Sequence, residues 1–567
     1  MEGTVTAMRG RLFRILRAAL PTAGLFACLA GCLTPEKAEK EADETAVGLA
    51  TAYWREQTGS TNEFNVSRPL DVLTLRIALE AVRQGVTNAI FPRIDGVAPL
   101  DPSNGVTYLS LDDALRLGAR NNRKYQTLKE TVYQRALALD TERHAFDTTF
   151  SSFLVGALTG KPELTKDYAQ AGGGANRKFE QGATLAGNMA IDVTKMIRDD
   201  WHSFAWTGDL TATVPLLRGS GRDIVREPLT QAERNLDYAL LTFERYRQTY
   251  ALSIAKAYYN VLSYAQNRRN SEGNAGRLEQ NWKRAEMMFK AGRMDRIQVD
   301  QARTDLLTAR QSIITTQKSY ENALDNFKIL LGLSPDAPVA LRDEELARLQ
   351  DMMAAKARDQ PDALTDYPAE SEAQNIALVE RRDLFVVRGD VVDAERAVRV
   401  SADALRADLT VEGGATYDAK RRQHKDSVDD VIATTAKIRF SAPWDRRKER
   451  NAYRRALIGL EQSRRALEES EDEVKNEVRA GYRDLTAARA LYENKVEAFK
   501  VAQKRVESND LFMQSGRSSM RDILEAESAL LTAQNALCSA VVEWRMCDLA
   551  LRTAMGILAV GDDGAWR

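Results

Sequence analysis

Apolar residues recur along most of the chain with a helical spacing that is long and unbroken. No proline stands between Leu229 and Ser334, or between Trp444 and the C-terminus, so nothing in either span forbids helix. Val478, Leu485, Tyr492, Phe499, Val506 and Met513 return at every seventh residue, the spacing of a seam along which one helix packs against another. The pattern predicts helices over about 224–288 and 447–512, each on the order of 100 Å long at ~1.5 Å per residue. Return helices over about 298–331 and 522–555 are near half that length. They need partners such as 111–145 and 375–406, stacked end on end.

Islands of a different period interrupt the helices. Phe204, Trp206, Leu210, Ala212 and Val214 alternate with Thr207, Asp209, Thr211 and Thr213, as in a strand with one apolar face. Leu409, Val411, Ala415 and Tyr417 alternate with Thr410, Glu412, Thr416 and Asp418, and Ile432, Ala436, Ile438 and Phe440 with Ala433, Thr435, Lys437 and Arg439. A soluble hairpin and a barrel strand between lipid and water both produce this alternation. Two strands per island make four per chain, and about eight are the minimum for a barrel. Several subunits would have to pool them.

The chain repeats itself. Sliding the sequence along itself until position 288 meets 512 brings Met288–Leu333 onto Phe512–Ile557 without a gap, matching Gly292-Arg293 with Gly516-Arg517, Leu306-Leu307-Thr308-Ala309 with Leu530-Leu531-Thr532-Ala533, and Gly332 with Gly556. The same shift pairs Tyr258 with Tyr482. A preserved apolar pattern over so long an ungapped stretch indicates duplication. Each glycine tip, Lys290-Ala291-Gly292-Arg293 and Gln514-Ser515-Gly516-Arg517, suits the reversal of a long helix, which needs a residue free to adopt positive φ.

Arg9, Arg11, Arg14 and Arg17 precede an apolar stretch from Ala18 to Leu29 that is too short to span a bilayer and has the length of a secretory h-region. It ends in Leu29-Ala30-Gly31-Cys32, which resembles the bacterial lipobox, so Cys32 is the lipid-anchor candidate. Leu33 follows it and no Asp stands there, which favours outer-membrane sorting. The charged, Ala-rich segment Thr34–Ala46 reads as a flexible tether.

Composition narrows the function. Lys plus Arg (80) balances Asp plus Glu (81), so no nucleic-acid or polybasic membrane-surface role is supported. After the N-terminus no apolar run approaches the roughly 20 residues of a membrane-spanning helix. Cys538 and Cys547 lie nine steps apart on one expected helix, too far to bridge. The three histidines are scattered, and no metal spacing, phosphate-binding loop or catalytic triad is present. Neither a cofactor nor an enzymatic activity is expected.

Three motifs are specific. Leu109-Ser110-Leu111-Asp112-Asp113-Ala114-Leu115 with Asn121-Asn122, the exit turn Val214-Pro215-Leu216-Leu217-Arg218-Gly219-Ser220-Gly221-Arg222 with its counterpart Ser441-Ala442-Pro443-Trp444, and the two glycine tips together resemble the TolC or outer-membrane efflux protein family over roughly residues 108–558. The resemblance implies a mainly α fold, in which a long helical coiled-coil barrel joins a membrane β-barrel. It implies a homotrimer of four strands per chain in the outer membrane, extending into the periplasm and working with a periplasmic adaptor (membrane fusion) protein and an inner-membrane transporter. It places Asp522 and Glu525 at an acidic pore-entrance constriction and Gly292, Arg293, Gly516 and Arg517 at the hairpin tips. Gln298 and Met513 depart from the family pattern, and Arg293, Asp295, Arg296 and Arg517 are candidates for a substitute closing network.

The expected layout is a signal peptide (1–31), a lipidated tether and extension (32–107), a first repeat (108–335, strand pair near 148–215), an equatorial linker (336–374), a second repeat (375–558, strand pair near 408–440) and a tail (559–567). The segment 158–200, with Gly172-Gly173-Gly174, exceeds its counterpart in length; the family layout implies an insertion in the first strand pair, at the cell surface, with extra strands as the alternative. The expected function is a passive exit duct of an efflux pump or type I secretion system. The alternative is a lipid-tethered periplasmic coiled-coil scaffold or adaptor without a pore, whose strand islands would be soluble hairpins.

Overall fold

The computed structural model describes residues 34–59, 62, 64, 107–161, 164–196 and 202–566, apart from 343, 361, 423–428, 443, 516 and 562. The signal-peptide segment, Cys32, Pro443 and Gly516 lie outside the described residues. The chain forms two compact units, one of Met1–Gly59, Val132–Tyr238 and Gly389–Arg465, the other of Ser60–Thr131, Ala239–Arg388 and Ala466–Arg567. No helix among the described residues is long and apolar enough to cross a membrane.

The first unit is built on an antiparallel sheet of six strands, β2 (Thr149–Lys161), β3 (Leu164–Lys178), β4 (Thr184–Met196), β5 (His202–Pro215), β7 (Asp408–Arg422) and β8 (Asp429–Ser441), in that order across the sheet. The expected strand pair near 148–215 is thus corrected to four strands, the extra two lying in the long segment for which additional strands are the alternative. Gly172-Gly173-Gly174 and the small residues around them have poor strand propensity alone, and the ladders to β2 and β4 supply what local preference lacks. In register, Phe204, Trp206 and Leu210 of β5 share a face with Val193, Ile191 and Gly187 of β4, and Trp206 and Leu210 share it with Ala419 and Ala415 of β7. Thr207, Asp209 and Thr211 share the other with Ala190, Asn188 and Ala186, and with Asp418, Thr416 and Gly414. β2 departs from this alternation, because Phe153 and Val155 lie on the polar side, with Phe153 against Gly172.

Thr34–Ala46 is no tether. Residues Pro35–Thr58 form helix α1, opened by the Thr34 side chain accepting from the Lys37 amide at 3.4 Å and by Pro35 in the first turn. Pairs Lys37–Glu41 and Lys40–Glu44 line its exposed side, and Ala46, Ala50 and Trp54 are buried. Charge and alanine serve a helix as readily as a coil, and this buried stripe decides between them. Asp43 accepts from the Tyr133 hydroxyl, and Arg143 donates to Tyr53 at 3.4 Å. Each contact joins residues ninety apart, so α1 runs alongside the helix preceding β2 in the same direction, with its Thr34 end away from β2.

The second unit holds a short parallel pair, β1 (Thr107–Leu109) and β6 (Val339–Leu341), and the helices of the two repeats are shared between the units. The first repeat has α2 (Leu111–Asn121), α3 (Arg123–His144), a single turn α4 (Arg222–Val225), α5 (Glu227–Lys290) and α6 (Arg296–Leu330). After α7 (Glu344–Asp359) the second has α8 (Glu370–Glu380), α9 (Arg382–Asp403), α10 (Arg447–Gln514) and α11 (Met520–Ala554). The duplication is visible in single hydrogen bonds. Gly332 and Gly556, at φ 78° and 77°, end α6 and α11. The Leu333 amide donates to Lys328 at 2.9 Å and the Ile557 amide to Arg552 at 3.1 Å, the same bond in each copy. Both glycines seat against the break between two stacked short helices, where a Cβ would lie 2.3 Å from the Asn121 carbonyl oxygen in one copy and 3.1 Å from the Glu380 carbonyl carbon in the other. Tyr258 donates to the Leu109 carbonyl and Tyr482 to the Pro368 carbonyl.

The 336–374 segment is held by a buried polar centre. Fully buried Asp548 of α11 accepts from Lys356 of α7 at 3.2 Å, Tyr367 at 2.9 Å and Arg545 at 2.9 Å.

Burial beside Glu56 raises the Asp237 carboxyl to about 6, although Gln57 donates to it. A carboxyl raised in the folded state stabilises fully below its ordinary 3.8, and that contribution is lost as pH rises through about 6. Amide protection in α1, taken relative to the intrinsic base-catalysed exchange rate at each pH, should therefore fall between pH 4 and pH 7, and Asp237→Asn should flatten that dependence. An unchanged pH profile in that variant would refute the assignment.

Candidate functional site

The candidate site lies at the ends of two helical hairpins, whose reversals share one backbone bond among the described residues. Gly292 sits at φ 71°, its amide donating to Phe289 at 2.9 Å while the Arg293 amide donates to Met288 at 2.9 Å. That pair of bonds closes a helix through a left-handed residue. In the second tip the Arg517 amide donates to Phe512 at 2.8 Å, the equivalent bond one repeat later. Beneath the tips, Ala275, Leu278 and Ala285 of α5, Val299, Ala302 and Leu306 of α6, and Met520, Ile523 and Leu524 of α11 form one buried cluster with Met513. Alanines at the contacts let the backbones approach closely, and Met513, which departs from the family pattern, fills this core.

The copies differ where α6 and α11 begin. Ser519 caps α11, and its hydroxyl accepts from the Asp522 amide at 3.3 Å. The Asp522 carboxylate accepts in return from the Ser519 amide at 2.9 Å and the Ser519 hydroxyl at 2.7 Å. This reciprocal capping holds the Asp522 carboxyl below its ordinary range. Ser519-Met520-Arg521-Asp522 was the signal in the sequence, and the reading of Asp522 as an entrance acid overlooked it. In the first copy Asp295 and Gln298 occupy these positions, and Asp295 makes no side-chain cap.

Glu525 lies one turn further on α11 and accepts from Arg505 of α10 at 2.9 Å. Asp522 and Glu525 thus share a helix face, and each is engaged by its own hairpin. The hairpins are joined elsewhere. Arg277 of α5 pairs with Glu527 of α11 at 2.6 Å, Arg284 of α5 with Asp510 of α10 at 2.5 Å, and Asn270 donates to Asn535 at 2.9 Å. Glu527 is 4% exposed, so its ion pair with Arg277 compensates a desolvated charge, which costs several kcal/mol when left alone, by order of magnitude. Within one chain and among the described residues, these contacts join the hairpins, and the candidate network of Arg293, Asp295, Arg296 and Arg517 does not. Arg296 turns to Asp300 on its own helix and stacks over Phe289, and no ion pair of Arg293, Asp295 or Arg517 joins the hairpins among the described residues. Arg277, Arg284 and Glu527 were missed because their spacing resembles any solvated helix face, and only the helix register brings them together.

Comparison with known proteins places this geometry. A family model described as "Outer membrane efflux protein" matches residues 191–333 and 374–557, a narrower span than 108–558. "Outer membrane protein TolC" of Escherichia coli (strain K12) is 22% identical over 342 residues, covering 58% of this chain and 66% of that protein, so the chain spans just under two thirds of this relative. Among solved structures, the outer membrane protein VceC of Vibrio cholerae has a TM-score of 0.57 at 15% identity, covering 79% of this chain and 96% of its own. The Campylobacter jejuni CmeC outer membrane channel has a TM-score of 0.56 at 14% identity, covering 84% and 91%.

Ser519→Ala should cost about 1 kcal/mol of local stability, read as faster amide exchange in the first turn of α11 with α6 unchanged. Equal exchange in variant and parent would show that the cap does not hold Asp522.

Proposed function

The chain belongs to the outer membrane efflux protein family, and we propose that it is a passive exit duct in the outer membrane, with its helical part in the periplasm. The observation that carries this reading is the one-sided sheet. Phe150, Ile432, Ile438 and Phe440 are each more than 60% exposed on its apolar face, while the opposite face carries Asn188, Asp209, Glu412, Lys437 and Arg439. Such a surface suits lipid on one side and water on the other, and the soluble-hairpin requirement of the scaffold alternative does not suit it. The edge strands β2 and β8 call for further copies of the chain, in a homotrimer by family likeness. A periplasmic adaptor and an inner-membrane transporter would supply cargo and energy, for efflux or for type I secretion.

The hairpin ends form the gate in this proposal. Arg277–Glu527 and Arg284–Asp510 hold the hairpins together, Gly292, Arg293, Gly516 and Arg517 shape the tips, and the face carrying Asp522 and Glu525 borders the entrance. Carboxylates gathered there around a symmetry axis would favour cations and bind multivalent ones. The lipobox supports acylation at Cys32.

In planar bilayers the purified protein should give small, cation-selective steps. Arg277→Ala/Arg284→Ala should raise the conductance severalfold, and Glu525→Gln should weaken block by multivalent cations. Folded protein without any conductance would leave the scaffold reading standing. For the anchor, labelled fatty acid should enter the parent chain and not Cys32→Ser, and an unlabelled parent would end that part of the proposal.

A further inference from the structure

Resting on the duct reading, we infer that each chain gives six strands to the barrel wall instead of four, so that the outer-membrane section is far wider than a twelve-stranded one. The first observation is the spacing of the repeats. Helices α2 and α8 open at Leu111 and Glu370, and α3 and α9 open at Arg123 and Arg382, so both pairs correspond at the same offset. Helices α6 and α11 open at Arg296 and Met520, a shorter offset. The first repeat is therefore longer than the second between the same landmarks. The surplus matches the stretch from the start of β3 at Leu164 to the end of β4 at Met196 to within a turn's length. It is one up-and-down hairpin, and an even number of added strands returns the chain to α5 in the direction in which β8 delivers it to α10.

The second observation is that this hairpin is continuous with the wall. Hydrogen-bonded register runs from Thr149↔Asn176 to Lys161↔Leu164 between β2 and β3, from Lys166↔Met196 to Lys178↔Thr184 between β3 and β4, and from Thr184↔Thr213 to Lys195↔His202 between β4 and β5. The faces of β4 match those of the wall. Leu185, Met189, Ile191 and Val193 extend the apolar side of β5, while Ala186, Asn188, Ala190 and Asp192 extend the polar side. β3 continues the apolar side with the small residues Ala169, Ala171, Gly173 and Ala175 and carries Arg177 there near its end. Bonds on the polar side cross the added strands, from Asn188 to Asp209 and from Tyr168 to Asp192, both at 2.9 Å. A hairpin standing free in water would not need a strand such as β4, whose apolar face is in step with its neighbour.

Three copies would then close eighteen strands. With strands about 4.8 Å apart and tilted by about 40°, the backbone circle would be roughly 36 Å across, against roughly 24 Å for twelve. Barrels of that strand number leave an aqueous channel. The limit on cargo size would fall at the hairpin entrance alone, and the outer-membrane section would pass whatever that entrance admits.

Single cysteines at Ala186, Ala190, Leu185 and Ile191 test the inference in the full-length protein reconstituted in lipid bilayers, with the unsubstituted chain as background for its native thiols. Membrane-impermeant maleimide should label the first two, and the second two should react only with a lipid-soluble maleimide. Labelling of all four by the impermeant reagent would put the hairpin outside the wall. If that protein still conducts, the duct stands and the eighteen-stranded wall falls; if it neither conducts nor inserts, both fall. Projection images of the unsubstituted oligomer provide a measurement free of folding effects, in which a barrel near roughly 24 Å, in place of roughly 36 Å, would equally overturn the inference.

Discussion

A sheet with one apolar face and two unpaired edges places a demand that its own chain cannot meet. The outer backbone groups of β2 and β8 have no partner strand among the described residues of the chain, and beside an apolar face such groups could not be satisfied by lipid, which offers neither donors nor acceptors. The sheet is also antiparallel throughout, so β2 and β8 run in opposite directions and one copy's β8 can extend the next copy's β2 without reversing the pattern. Closure by identical chains removes every edge at once. The six-strand count, the polar side rich in threonine, asparagine and charge, and the exposed aromatics on the other side all acquire a role within that one constraint.

The helical repeats answer a different constraint, the need to keep long helices in register over many turns. The solution is a pair of short helices set against one long one, with the short pair interrupted where a glycine of the return helix arrives. At Gly332 the approach to the opposing backbone leaves no room for a Cβ, and at Gly556 a Cβ would press on it at 3.1 Å. The same positions are in left-handed conformation, so both requirements select the same residue. Symmetry then relaxes at the hairpin tips. Ser519 and Asp522 cap α11 reciprocally, while Asp295 begins α6 without a side-chain cap. The ties between hairpins run from α5 to α10 and α11. The two copies have thus diverged in the turns that would have to move in a gate, and have stayed alike in the turns that hold the stack.

Much of this was readable from residues alone. Proline-free spans and a seven-residue seam announce the long helices because periodic burial is written directly into sequence. The duplication shows because both copies face the same packing problem at the same offset. Strands β5, β7 and β8 show through alternation, since one of their faces is apolar. The candidate site at the hairpin tips was legible only in outline. Gly292 declared its turn, whereas Asp522 declared an acid and concealed a cap, and Arg277, Arg284 and Glu527 looked like any charged helix surface.

What the sequence determined by itself was local and periodic: helix, turn, repeat, and the apolar side of three strands. What the tertiary structure alone decided was pairing. β3 is made of small residues with little preference of their own and becomes a strand because β2 and β4 hydrogen-bond to it along its length. Pro35–Thr58 becomes a docked helix because Ala46, Ala50 and Trp54 find a surface to bury against. Glu527 becomes a tie because α5 brings Arg277 within 2.6 Å of it from a distant part of the chain. Such contacts depend on the helix and strand register reached after folding, and no window of neighbouring residues contains that information.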